Sequence, residues 1–277
     1  MTDTRPLHSV YDVVGGLRMH GLVSGRQVAP RVVHPPLVFV HGLGVSLRYM
    51  EPTMARLAGE FDVSGIDLPG FGRSDTPSGV LGMPELAAAV ADWLDARRIG
   101  PAILVGNSFG CQVIVELVSR QPRRALGLVL NAPTIDPAHR SMMTMLMRVA
   151  RDVPNEPVRL VPVVARDYLR AGPRRILTTL GYAIADRIEE KLPSIVAPTL
   201  VVCGAHDPVV TVEWASEVAR LVGIEQPGAS GAMMQCVGGA AHALPFDDPE
   251  AFARIIRNFA EHVSQVGRGV PLGAAGR

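Results

Sequence analysis

Cysteine, lysine, net charge and long apolar runs are all scarce in this sequence, and each scarcity closes off a class of protein. Of 277 residues three are cysteines, Cys111, Cys203 and Cys236. An odd count at wide spacing without a CxxC excludes a disulfide framework and a thiolate metal site, and the three read as buried thiols. Lys191 is the only lysine, so the basic residues are otherwise arginine, a compositional bias rather than a patch. Lys plus Arg at 27 against Asp plus Glu at 26 leaves a net +1, too little to create a global field toward nucleic acid or an anionic membrane. No apolar run approaches the roughly 18 residues of a membrane-spanning helix. The first 14 residues are polar where a secretory signal carries an apolar stretch. These absences predict a cytoplasmic protein with neither nucleic acid nor membrane as partner; they leave the oligomeric state open.

What is present suits a large core. Hydrophobic residues make up 48% and charged residues 19%, which excludes a mainly disordered chain. Short apolar runs at 37–40, 63–66, 102–105, 126–130, 199–202 and 233–237 alternate with helical patterns at 84–97, 109–119, 212–221 and 249–263. Four to six apolar residues between turn formers is the pattern of strands covered on both faces. The alternation predicts an α/β fold with a doubly wound, mostly parallel sheet. It fails over 134–196, where helical stretches are broken by Pro154, Pro157, Pro162, Pro173 and Pro193. The predicted organisation is therefore a core of residues 1–133 and 197–264, a helical lid at 134–196, and a Gly-rich tail at 265–277 expected to be disordered. Nine Arg and one Lys of the lid are interleaved with seven acids and read as a solvated face.

The chemistry concentrates at Gly106-Asn107-Ser108-Phe109-Gly110. This GxSxG stretch lies between a predicted strand and a predicted helix, so Ser108 is expected on a sharp strand-to-helix turn, the nucleophile elbow. A serine hydroxyl needs a general base, and the base needs an orienting carboxylate. The strand at 199–202 runs into Asp207 and the strand at 233–237 runs into His242. The chain order Ser, Asp, His is the one this architecture uses. His206 reads as a loop residue, and Asp136 is the competing acid. An oxyanion hole needs two convergent backbone N–H groups; Phe109 supplies one, and Leu43, after the strand ending in His41-Gly42, the other. His41 reads as structural.

Taken together HGLG (41–44), DLPGFGRSD (67–75), GNSFG (106–110), GAHDPVV (204–210) and AHALPFDDPEAF (241–252) resemble the lidded α/β-hydrolase family over nearly the whole chain. The resemblance implies an α/β-hydrolase fold, a Ser108–Asp207–His242 triad acting on a small-molecule substrate, and no metal or cofactor; Asp67 takes no catalytic role. The activity it implies is hydrolysis of a small to medium, partly apolar ester or lactone through an acyl-enzyme. Met142, Met143, Met145, Leu146 and Met147 are candidate substrate contacts, since thioethers adapt to apolar shapes.

One related reading is disfavoured by Ser108 itself, and three others stay open. Haloalkane dehalogenases and epoxide hydrolases resemble the chain but use aspartate where Ser108 stands. Hydrolases that cleave C–C bonds of aromatic ring-fission products share the elbow and lid and typically carry Trp after the catalytic His; here Ala243 follows, although Arg166, Arg170, Arg174 and Arg175 lie in the lid. Cofactor-free haloperoxidases and perhydrolases use the same triad. A ligand receptor built on the same fold is the non-enzyme alternative.

Overall fold

A computed structural model describes residues 6–25, 34–226 and 231–269. Its eight strands are β1 (Leu7–Val14), β2 (Leu17–Ser24), β3 (Leu37–Val40), β4 (Val63–Ile66), β5 (Ala102–Asn107), β6 (Ala125–Asn131), β7 (Thr199–Gly204) and β8 (Met233–Val237). They form one sheet in the order β1-β2-β4-β3-β5-β6-β7-β8. β3 to β8 run parallel, and β2 pairs antiparallel with both β1 and β4. Among the described residues the helices are α1 (Glu51–Leu57), α2 (Met83–Ala96), α3 (Phe109–Arg120), α4 (Met142–Asp152), α5 (Val161–Ala171), α6 (Pro173–Ala185), α7 (Ile188–Lys191), α8 (Val212–Leu221), α9 (Leu244–Asp247) and α10 (Pro249–Gly269).

The side chains of β3 explain the layering. Val38 and Val40 join a core cluster with Trp93, Ile114 and Trp214, whereas Leu37 and Phe39 join a second cluster with Phe252 and Phe259. Successive residues of a strand point to opposite faces, so both faces of the sheet are covered, by α2, α3 and α8 on one side and α10 on the other. That is why the strands read as unbroken apolar runs. The doubly wound, mostly parallel sheet matches the fold read from the sequence.

Three local expectations need correction. The β1–β2 hairpin was not anticipated; its Gly15 and Gly16 both have positive φ, 56° and 79°, the conformation that two-residue hairpin turns require. Cys111 and Cys203 are buried but Cys236 is exposed, because β8 is the edge strand and only one side of it is paired. The tail boundary at 264 falls inside α10, which continues to Gly269; residues 270–277 lie outside the described residues. None of the helices searched among the described residues is long and apolar enough to cross a membrane.

Between β6 and β7 the chain forms α4 to α7 and no strand. This insertion is tied to the loops at the carboxyl end of the sheet. Asp167 of α5 accepts from the Ser46 hydroxyl at 2.5 Å. Arg148 of α4 donates to the carbonyls of Pro208 and Val209 at 3.1 and 3.3 Å, and Glu156 accepts from the Ala243 N–H at 2.7 Å. On the other flank buried Gln112 of α3 donates to the Ala183 carbonyl of α6 at 2.9 Å.

Candidate active site

β5 ends at Asn107 and α3 begins at Phe109, leaving Ser108 alone at the junction with φ 54° and ψ −120°. A non-glycine residue at positive φ is strained and persists only where its surroundings fix it. The surroundings are close-packed backbone. A Cβ on Gly110 would stand 2.3 Å from the Val40 carbonyl oxygen, and one on Gly106 would stand 2.8 Å from the Cys111 nitrogen. Only glycine fits either place, which is the physical content of the two fixed glycines in GxSxG. The Ser108 N–H donates to the Asn131 carbonyl at 2.9 Å, and the Ser108 carbonyl accepts from the Cys111 N–H at 2.9 Å. Both bonds hold the turn while the half-buried side chain stays outside the helix.

Asp207 and His242 come from the loops after β7 and β8. The two loops are stitched together: the Ala205 N–H donates to the Val237 carbonyl at 2.9 Å and the His206 N–H to the Ala240 carbonyl at 3.0 Å. Asp207 is buried, and its Oδ1 accepts from the Val209 and Val210 N–H groups at 2.7 and 3.0 Å. Its Oδ2 is left for His242 Nδ1, at 2.8 Å. With Nδ1–H donating to the carboxylate, Nε2 is the nitrogen free to take a proton. Burial of the imidazole favours its neutral form, but the charge and hydrogen bond of Asp207, with Asp152 and Glu156 adding, override it and push the pKa up to about 9. Ser108 Oγ and His242 share no hydrogen bond among the described residues; such contacts commonly tighten only when substrate binds.

The loop after β3 runs beside the serine. A Cβ on Gly42 would stand 3.5 Å from Ser108 Cβ, and the Gly42 N–H is occupied by the Tyr49 hydroxyl at 3.0 Å. The next N–H, that of Leu43, has no acceptor among the described residues, nor has the N–H of Phe109 at the first turn of α3. Orphan N–H groups at a helix start carry partial positive charge. The two expected oxyanion donors are thus both unoccupied among the described residues; Phe109 follows Ser108 directly, and Leu43 follows Gly42, which lies against Ser108.

The remaining acids and histidines have structural partners. His41 accepts from the Leu68 N–H at Nε2, 2.9 Å, and donates from Nδ1 to the Gly42 carbonyl, 2.7 Å; burial lowers its pKa, so it stays neutral. Asp136 accepts from the Ala138 N–H at 2.8 Å and pairs with His139, capping its own turn far in role from His242. His206 is exposed. The five apolar candidates separate: Met145 is 4% exposed within the core and Met142 packs against it, whereas Met143 is 66% exposed and Leu146 and Met147 also face solvent. Five of six consecutive helical positions cover every face of a helix, so they cannot share one wall.

Sequence reasoning missed two features of the site. Tyr49 uses its hydroxyl to occupy the Gly42 N–H, and the insertion brings Asp152 and Glu156 up to His242. Neither acid sits in a motif, and both lie about 90 residues from the histidine in sequence, so no local signal marks them.

Comparisons with known proteins bear on the family and the fold. The sequence profile described as the Alpha/beta hydrolase family matches residues 37–255. A poly(3-hydroxyalkanoate) depolymerase from Ectopseudomonas oleovorans is 26% identical over 63% of this chain and 69% of its own length. A pimeloyl-[acyl-carrier protein] methyl ester esterase from Yersinia pseudotuberculosis is 26% identical over 81% of this chain and 93% of its own. Some other curated relatives match over a much smaller share of their own length, such as a putative non-heme haloperoxidase of Mycobacterium phage D29, 39% identical over 34% of each chain. Among solved structures, an enol-lactonase from Burkholderia xenovorans LB400 superposes with a TM-score of 0.74 at 22% identity, covering 91% of this chain and 100% of that one. A match spanning β3 to α10, with the elbow, the acid loop and the histidine loop in their places along it, makes this chain a member of the alpha/beta hydrolase family.

Proposed function

We propose that this hydrolase cleaves small to medium, partly apolar carboxylic esters or lactones through an acyl-enzyme on Ser108. The reading is carried by one observation above the others: a serine held at positive φ beside two unoccupied N–H groups, at the same end of the sheet as a His242–Asp207 pair. In the proposed mechanism Ser108 Oγ attacks the carbonyl carbon while His242 Nε2 accepts its proton. Charge on the former carbonyl oxygen is held by the Leu43 and Phe109 N–H groups. His242 then returns the proton to the leaving alkoxide, and a water repeats the sequence on the acyl group to free Ser108. Asp207 fixes the tautomer that leaves Nε2 free.

Ester and lactone chemistry is also supported by the relatives, among them a methyl ester esterase and an enol-lactonase. The insertion serves as a lid, since its polar contacts reach the oxyanion loop, the acid loop and the histidine loop. Of the candidate apolar contacts, buried Met145 and half-buried Met142 are kept for the acyl chain in this reading, because Met143, Leu146 and Met147 are exposed. The C–C hydrolase alternative loses its main support, because Arg166, Arg170 and Arg174 are exposed and Arg175 donates to the Pro77 and Gly79 carbonyls.

The test is a series of p-nitrophenyl esters from acetate to hexanoate, with a simple lactone, on wild type and Ser108→Ala. Each buried methylene adds about 0.8 kcal/mol, so hexanoate should exceed acetate in kcat/KM by about tenfold or more. Turnover that survives in Ser108→Ala overturns the proposal; a preference for acetate removes its apolar-substrate part.

A further inference from the structure

The near-zero net charge hides a segregation that only the structure makes visible. Residues 142–185 contain seven arginines and three acids. All three acids turn inward: Asp152 and Asp167 are buried, and Glu156 is half-buried against the Ala243 N–H. The arginines turn largely outward.

The effect is clearest on α5 and the turn before it. Val161, Ala165 and Leu169 recur every four residues and form one exposed ridge, and Pro162, Arg166 and Arg170 form the adjoining exposed ridge. Val158 and Leu169 are each 84% exposed. Arg166 and Arg170 have no ion-pair partner among the described residues. The opposite side of the same helix is the one that packs: Asp167 accepts from Ser46, and the Tyr168 ring lies over Gly44. A helix that buries its acid and exposes leucine, valine and unpaired arginine inverts the arrangement a water-facing surface favours.

We propose that this face of α5, with Val158 ahead of it, docks on the surface of a bilayer containing anionic lipid. Apolar ridges enter the boundary between headgroups and acyl chains while neighbouring arginines meet lipid phosphates, the arrangement that holds amphipathic basic helices in an interface. A second copy of the chain is a poorer occupant. An isologous contact sets the same patch against itself, so Arg166 and Arg170 would face their own counterparts with no acid on the patch to separate them. The buried side of α5 touches the loop that carries Leu43, so docking would bring the mouth of the site toward esters held in the membrane. Vesicle binding is read without turnover, so its failure would leave the ester-hydrolase reading intact.

The experiment is cosedimentation of the full chain with vesicles of phosphatidylglycerol and phosphatidylcholine in equal parts, and with vesicles of phosphatidylcholine alone. Wild type should bind the anionic vesicles at least about tenfold more tightly than the neutral ones, with the difference shrinking as salt rises. Arg166→Glu with Arg170→Glu should lose about tenfold or more of that binding, and Arg166→Lys with Arg170→Lys should keep it. Val158→Ser with Leu169→Ser should weaken binding while p-nitrophenyl butyrate turnover stays at the wild-type level in all these variants. No sedimentation with anionic vesicles, equal affinity for both vesicle types, or undiminished binding by the charge-reversed variant would overturn the proposal. So would concentration-dependent dimerisation, abolished by the same charge reversal, in place of vesicle binding.

Discussion

Asp67, in the loop after β4, and Asp152, at the end of α4, are both buried, at 2% and 8% exposure, yet they are treated oppositely. Asp67 accepts from the Leu47 and Arg73 N–H groups at 2.8 and 2.9 Å and meets the His20 ring at 2.7 Å. Although burial opposes ionisation, the His20 hydrogen bond, with those N–H groups, holds its pKa below the usual value. Asp152 keeps Oδ1 without a partner; burial raises its pKa, and the charge of nearby Asp207 adds to the rise while His242 opposes it. Its neighbour Glu156 is pushed up to about 7 by burial and by Asp152. The loop after β4 satisfies its buried carboxylate and fixes its position. The insertion leaves carboxyl groups under-satisfied against the histidine.

Substitutions can break that contrast, and the largest effect belongs to the site itself. Asp207→Asn should lower kcat by about 10⁴-fold through the wrong imidazole tautomer, with the melting temperature within a few degrees of wild type. A second substitution of the same kind, Asp67→Asn, should do the reverse. It should destabilise the protein by about 3 kcal/mol in urea unfolding, as breaking one side of a buried pair does, while folded molecules keep near wild-type turnover. If Asp67→Asn abolishes turnover without loss of stability, the separation into a structural core acid and a catalytic loop acid is wrong.

Acidity gives a smaller and graded effect. His242 must be neutral to take the serine proton, and its pKa lies raised to about 9. Below that value the imidazolium dominates, so kcat/KM should fall by about tenfold for each pH unit below it. Asp152 is one of the charges that raise His242; Asp152→Asn should move this limb to lower pH, measured as the midpoint of the pH profile. An unmoved limb would remove the insertion from the electrostatics of the site. The smallest effect sharpens the comparison within α4. Met145→Ala should alter preference between neighbouring acyl lengths by about fourfold, one methylene's worth, and Met143→Ala should leave the profile as it was.

Legibility follows the same division. The strands β3, β5 and β7 were readable because parallel strands covered on both faces are continuous apolar runs. The places of Ser108 and Asp207 in the fold were readable because each follows such a strand at its carboxyl end; that of His242 was readable from the short run MMQCV, although this run forms the largely exposed edge strand β8. The β1–β2 hairpin was not, because LHSVYDVV, at the exposed edge of the sheet, and the mostly buried LRMHGLVS both mix polar and apolar side chains, although Gly15-Gly16 was a usable turn signal. In the insertion the positions of helices could be guessed between prolines, but not their orientation. Which side of α5 is exposed depends on the Asp167 bond to Ser46, 121 residues away. Alternating charge in sequence therefore read as a mixed solvated face, while in space the acids and arginines part.

The central claim is that Ser108 is the covalent nucleophile, and mass spectrometry after treatment with a fluorophosphonate tests it most directly. One adduct per chain is predicted, on the peptide containing Ser108. Its formation should slow as His242 protonates below pH about 9, and it should be absent in Ser108→Ala. An adduct on another serine, or equal labelling of Ser108→Ala, would contradict the account.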